Sequence, residues 1–377
     1  MFLTTPRLEI GAACREGAWP FRAGDVDIAM IYGNVNIDAV AHVVPPRSVS
    51  SEEIEAMLSP VYERLGLPEG RLELMSGIKE RRFWDEGVKP SDGAIAAGRL
   101  ALEKAGAPKE SIGALVLCSV CRDFLEPATA CVVHDALGLP AESAVFDVSN
   151  ACLGVLTGMT VVANMIELGQ IDSGMVVASE NGWPLIESTI AKANGDASLT
   201  RRTIKPLFAS LTIGSGAVAL VLSKSSGGGA GHRLLGGTTL ANTRYNDLCR
   251  GNADKGVVDG SETLMATDSE TLMRRGVETA SENWKAFKAE LGWSDDAPDV
   301  FCAHQVGSAH RKLLFETLGI DPRKDFSILE TWGNSGSASC PTAFSIAIES
   351  GRIESGDKVA LLGIGSGINC AMLGVEW

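Results

Sequence analysis

No stretch of this 377-residue chain strings together the roughly 18 apolar residues that crossing a bilayer requires, so no membrane span is expected. Basic residues are in deficit. There are 33 Lys and Arg against 47 Asp and Glu, a formal charge of −14. Nucleic acid and anionic membranes reward the opposite sign, which argues against either as the main partner. A local cluster can still hold an anionic ligand. Lys79-Glu80-Arg81-Arg82, Arg201-Arg202 and Arg311-Lys312 are the candidates, each more simply read as solvated surface.

The first residues, MFLTTPRLEIGAACREGAWPF, lack the basic start and apolar core of a secretory signal, and the expected location is the cytoplasm. The cysteines agree with that. They number nine, an odd count, and follow no framework spacing, which suits a reducing compartment rather than a disulfide scaffold. CSVC (Cys118–Cys121) has no second pair at zinc-site spacing and ends the β-like run Gly113–Leu117, so no metal or other cofactor is expected. With 45% apolar and 21% charged residues the chain is an ordinary globular one, long enough for two domains or one large α/β unit.

The chain does contain a copy of itself. IELGQIDSGMVVAS (166–179) matches IESGRIESGDKVAL (348–361) at an offset of 182, each reading as a helix end, a glycine cap, a turn and a buried strand. The same offset carries Cys152 onto Asn334 and Arg122 onto His304. TIGSGAVALVL (212–222) matches GIGSGINCAML (363–373) at 151, leaving about 31 extra residues after Glu180 in the first half. That insert, about 181–211, reads as a lid or channel wall, or equally as a surface excursion; Trp183, Leu207 and Phe208 are its channel candidates, with packing in the core as the alternative. The expected fold is α/β, two strand–helix–strand halves related by a pseudo-twofold axis. The halves run 30–225 and 230–377, meeting in the linker SKSSGGGAGHR (223–233). Residues 1–29 precede them as an extension, Met30 being the alternative start.

Strand C-termini beside helix N-termini are where such sheets gather ligands. Cys152, in FDVSNACLG, stands at an expected helix start, where the helix N-terminus and a neighbouring histidine lower a thiol's pKa. Asn150 or Ser149 is the expected cap. His304 ends an apolar strand and is one of only five histidines. Asn334, between Gly333 and Ser335, offers an amide to a developing oxyanion, although asparagine beside glycine is more often a turn. The second Ile-Gly-Ser-Gly can present backbone N–H groups. Glu126, in CRDFLEPAT, is a candidate general base if buried, and a surface loop residue otherwise. Together they describe acyl transfer through a cysteine thioester.

SNACLG, AHQV, GNSGSAS, GIGSG and the early GIKERR resemble the thiolase superfamily, and within it the β-ketoacyl-acyl carrier protein synthase III branch. SVCRDFLEPATA, LCRGN, LLGIGSGINC and the terminal VEW are most similar to members that join two fatty acyl-CoAs head to head in bacterial olefin synthesis. The resemblance spans about residues 30 to 377 and implies a five-layered αβαβα homodimer that uses acyl-CoA substrates and works beside other enzymes of an olefin pathway. It further implies that Cys152 carries the acyl group, that His304 and Asn334 support the second thioester, and that the backbone N–H groups of Cys152 and Ser366 form the oxyanion hole. Glu126 is implied to enter the partner's site and remove an α-proton, giving a non-decarboxylative Claisen condensation to a 2-alkyl-3-ketoacid. The alternative is decarboxylative condensation with malonyl-ACP, which needs no such base. RLELMS stands where synthase III enzymes carry the arginine and tryptophan that hold the CoA adenine, a departure that weakens that alternative.

Overall fold

The computed structural model describes residues 30–226, 231–251, 264–304 and 306–377; the extension 1–29 and most of the glycine run of the linker lie outside these. Apolar runs such as Ala114–Leu117 and Val300–Ala303 are too short for helices and are buried throughout, which fits the parallel centre of a covered sheet.

The strands of the first half are β1 (Met30–Ile31), β2 (Val35–Val43), the hairpin pair β3 (Arg47–Ser50) and β4 (Glu80–Phe83), β5 (Ala114–Leu117), β6 (Ala144–Asp147), β7 (Ser173–Glu180) and β8 (Gly216–Lys224). The second half has β9 (Arg233–Ala241), the small pair β10 (Cys249–Gly251) and β11 (Met265–Thr267), then β12 (Val300–Ala303), β13 (Lys358–Gly365) and β14 (Asn369–Glu376). The first half orders its sheet β6-β5-β7-β8-β2 and the second orders its own β12-β13-β14-β9. The two orders are the same except that, among the described residues, the second half has no counterpart of β6, only a parallel bridge between Phe301 and Asp325. β2 and β9 touch at Asn36 and Arg233, which joins the two sheets edge to edge.

The helices are α1 (Ser51–Met57), α2 (Ser59–Leu65), α3 (Arg71–Ser76), α4 (Pro90–Ala105), α5 (Thr129–Leu137), α6 (Gly154–Glu167), α7 (Trp183–Gly195), α8 (Lys205–Phe208), α9 (Ser269–Leu291), α10 (Ser308–Leu318), α11 (Leu329–Trp332) and α12 (Ser339–Glu349). Strand alternation sorts them into layers. Val176 and Ala178 of β7, with Leu361 and Leu373 from the other sheet, enclose α6 and α12 in one central core. Met175 and Val177 face the other way onto α4 and α5, while Ala360 and Leu362 face α9 and α10. The expected five layers are therefore helix, sheet, helix pair, sheet, helix.

The repeat holds with one slip. The central helices end in register, Glu167 against Glu349, an offset of 182. Their starts do not: Gly154 corresponds to Ser339, and the preceding 3₁₀ turn Ala151–Leu153 to Gly336–Ala338, an offset of 185. α6 is longer by almost one turn, so the structural twin of Cys152 is Ser337, and Asn334 lies three residues ahead of that serine. Likewise β5 and β12 end at Leu117 and Ala303, so His304 answers to Cys118 rather than Arg122. The insert 181–211 folds as α7 and α8 over α1–α3, sharing a satellite core with Ile54, Phe83 and Leu72.

Candidate active site

Gly154 explains why α6 begins where it does. A Cβ there would lie 2.0 Å from the carbonyl oxygen of Cys118, so only glycine lets the helix start press against the end of β5. The chain must then turn sharply ahead of it. Ala151 takes up this turn with φ of 45°, a left-handed backbone that alanine adopts at a cost of order 1 kcal/mol. Cys152 follows on the 3₁₀ turn and faces a cavity of about 290 Å³. The expected cap is not formed. Asn150 instead donates to Thr157 Oγ1 at 2.9 Å and accepts from Asn369 at 3.0 Å, tying the turn to β14.

The same cavity is lined by His304, Asn334, Gly365 and Ser366. Its remaining wall is largely apolar, with Leu72 and Met75 from α3, Phe208, and Leu272 and Met273 from α9. A Cβ on Gly365 would sit 3.5 Å from the Cys152 nitrogen, so the Gly365–Ser366 backbone passes beside the Cys152 N–H. Asn334 is fixed on three sides: its N–H donates to Thr212, its carbonyl accepts from Gly214, and its Oδ1 accepts from Gly336 N–H at 3.0 Å. The side-chain NH₂ is thereby left to donate. His304 sits at the end of β12, its backbone N–H donating to Leu362 at 2.7 Å, and neither ring nitrogen has a partner among the described residues.

Electrostatically the site is neutral at rest. Burial holds His304 down at about 3, with His310 nearby adding to the effect, and holds His310 at about 4. Cys152 departs from expectation. Burial first, then the Glu180 carboxylate and the Cys249 thiol, push it up to about 12, so the protein at rest carries a thiol and not the thiolate expected from the helix start. Two outcomes follow. Iodoacetamide should alkylate Cys152 about tenfold faster per pH unit from pH 7 to 10, with no plateau; a plateau below pH 9, by peptide mapping, would contradict the buried thiol. The second concerns stability. In the unfolded chain both histidines bind a proton near pH 6.5, and in the folded chain only near pH 3 to 4. In that window the unfolded state holds more protons, so stability falls as pH falls, by about 2 kcal/mol per histidine at pH 5. Denaturant melts at pH 7 and 5 on wild type and His310→Phe should show the variant losing about half of that dependence.

The channel candidates divide. Phe208 lines the cavity. Leu207 and Trp183 pack elsewhere: Leu207 is buried in the satellite core, and Trp183 lies under the Arg47 guanidinium at 3.7 Å and edge-on to Phe83. The basic clusters are largely committed to structure. Arg81 is fully buried and donates to Leu211 and Ser51; Arg201 donates to the carbonyls of Leu65 and Gly66; Arg311 pairs with buried Asp325. CSVC is likewise structural, with Cys118 buried and Cys121 bonded to Asn181; no metal-holding group occurs among the described residues.

Glu126 does not line this cavity and is not buried. Its loop is pinned at its start: the N–H groups of Val120 and Cys121 donate to Glu180, and Asp123 accepts from Ser91. Between these ties and α5, Phe124 to Pro127 stand exposed, with Val120, Phe124 and Leu125 offering apolar surface around the carboxylate. Sequence reasoning missed Glu180, whose only signal was a charged residue closing a largely apolar strand, and His310, one of the five histidines.

The family 3-oxoacyl-[acyl-carrier-protein (ACP)] synthase III matches residues 146–239, and its C-terminal counterpart matches residues 289–377. The acyl-CoA:acyl-CoA alkyltransferase of Shewanella oneidensis is 40% identical over 351 residues, covering 92% of this chain and all of that protein. The enzyme of the same name from Xanthomonas campestris is 40% identical over 348 residues, with the same coverage. The crystal structure of cerulenin-bound Xanthomonas campestris OleA superposes with a TM-score of 0.87 at 40% identity, covering 92% of this chain and 98% of that one. Solved variants of that protein replace a glutamate and a cysteine that stand 26 residues apart, the spacing of Glu126 and Cys152 here.

Proposed function

The chain belongs to the thiolase superfamily, in the family of the acyl-CoA:acyl-CoA alkyltransferases that it matches along 92% of its length, and on that premise we propose that it joins two fatty acyl-CoAs by a non-decarboxylative Claisen condensation. The observation that carries this reading is the single apolar cavity shared by Cys152, His304, Asn334 and the Gly365–Ser366 backbone.

The first acyl-CoA enters with its carbonyl at Cys152. Neutral His304, with both ring nitrogens unbonded, receives the thiol proton as sulfur attacks, because a thiol held near 12 reacts only if its proton leaves in the same step. The N–H groups of Cys152 and Ser366 hold the tetrahedral oxyanion, and CoA departs with the proton. The second thioester carbonyl then accepts hydrogen bonds from His304 and the Asn334 amide, which stabilises an enolate. The partner subunit's Glu126 takes the α-proton, and the carbanion attacks the acyl-cysteine carbonyl and expels the Cys152 sulfur, which regains a proton. Water then cleaves the remaining thioester to release CoA and a 2-alkyl-3-ketoacid. The working unit is thus a homodimer, supported by the exposed apolar loop around Glu126.

Incubation with myristoyl-CoA alone tests the reading. Mass analysis should find an acyl adduct on Cys152 and the condensed ketoacid, or the ketone formed when it loses CO₂. Product that forms only when a malonyl thioester is added would overturn it.

A further inference from the structure

Glu180 closes β7 and is buried, yet its carboxylate makes no ion pair among the described residues. It accepts instead from two places far apart in sequence. Oε1 takes the Val120 N–H at 2.9 Å and Oε2 the Cys121 N–H at 3.0 Å, at the base of the loop that carries Glu126. Oε1 also takes the Ser337 hydroxyl at 2.5 Å and its N–H at 3.3 Å, in the 3₁₀ turn that follows Asn334. Gly336 makes room for this contact, since a Cβ there would stand 3.2 Å from the carboxylate carbon. The Trp84 indole N–H donates to the Glu180 carbonyl at 3.0 Å and fixes the backbone from behind. Four donors on one buried carboxylate are an expensive arrangement to desolvate and are strong only while the charge remains.

We infer that Glu180 is a positioning residue for condensation: one carboxylate clamps the Glu126 loop to the Asn334 turn, so the base offered to the partner subunit and the amide that receives the second thioester are set by the same group. The inference rests on the reading of Glu126 as the α-proton base. Cys152 itself makes no hydrogen bond to Glu180, which reaches the sulfur only through its charge and raises the thiol pKa, so losing the clamp does not slow acyl loading, whereas it does slow the later carbon–carbon bond. In Glu180→Gln the amide NH₂ faces a backbone donor whichever way it turns, and at least one of the Val120 and Cys121 bonds is lost. Ser337→Ala removes the hydroxyl bond of the other arm, keeps its backbone N–H and leaves the loop bonds.

The test separates the two half-reactions in the full-length protein. Loading of Cys152 by myristoyl-CoA is followed by intact mass, and consumption of the acyl-enzyme by a second acyl-CoA is followed in a single turnover. Glu180→Gln should load at least as fast as wild type, since a charge that raises the Cys152 pKa is gone, and condense about 100-fold more slowly, the scale of a misplaced reacting group. Ser337→Ala should show the same split at about tenfold, the worth of one charge-assisted hydrogen bond, and carries the test if the glutamine variant fails to fold. Equal loss in both steps marks a merely structural residue and overturns the inference, as does unchanged condensation. Glu126→Gln run alongside keeps the premises apart. If it condenses normally, the reading of Glu126 falls and the clamp with it; if it stalls while both clamp variants condense normally, the clamp alone falls.

Discussion

Cys152→Ala is expected to give no acyl adduct and to lower condensation by about four orders of magnitude or more, the scale on which removal of a covalent nucleophile acts. The effect is this large because the first half-reaction has no substitute. Backbone donors and an apolar cavity still bind acyl-CoA in the variant, but without sulfur there is no acyl-enzyme for the second carbanion to attack. One other thiol makes the test sharp. Cys249 lines the same cavity and raises the pKa of Cys152, with the Thr267 hydroxyl donating to its sulfur at 3.3 Å. Intact mass and peptide mapping after myristoyl-CoA should place the wild-type adduct on Cys152 alone. An adduct on Cys249, or one that persists in Cys152→Ala, would reverse the assignment.

The position of Cys152 is legible in the sequence because repetition constrains position. Two matched strand–helix–strand halves bring their strand ends and helix starts to one axis, and Cys152, His304 and Asn334 do meet at one cavity. The exact pairing was not legible. A helix tolerates almost one extra turn without disturbing its apolar stripe, so the match that holds at Glu167 and Glu349 slips before Cys152, and the slip appears only in the elements. The state of the thiol was misjudged for a related reason. A helix start is written in the sequence, but the depth of desolvation around the sulfur depends on α9, β10 and Glu180, which arrive from distant segments. Leu207 and Phe208 are adjacent and equally apolar and both join the satellite core, and only the packing of α8 turns Phe208 to the cavity as well. Asn150 looked like a cap because local chemistry favours it, and it was claimed instead by Thr157 and Asn369.

Glu126→Gln carries the second large effect, and its form matters more than its size. Decarboxylation generates a carbanion without a base, whereas an intact acyl-CoA must give up an α-proton to one. Loading of Cys152 should therefore proceed normally while condensation falls by about 10²- to 10⁴-fold, the range of a general base, so that acyl-enzyme accumulates in the mass spectrum. Glu126→Asp, which keeps the charge but withdraws it by a methylene, should fall between. The structure adds a sharper expectation, because Glu126 lies outside the cavity of its own chain, on an exposed apolar loop held at its base. Inactive Cys152→Ala and inactive Glu126→Gln chains, unfolded together and refolded as mixed dimers, then test where the base acts. In a mixed dimer the Glu126→Gln chain keeps its cysteine and borrows an intact glutamate from its partner, so one competent site is rebuilt. Activity recovered on mixing means the base works across the interface. If both variants are inactive alone and verified mixed dimers remain so, Glu126 serves its own subunit and the cavity must open toward it.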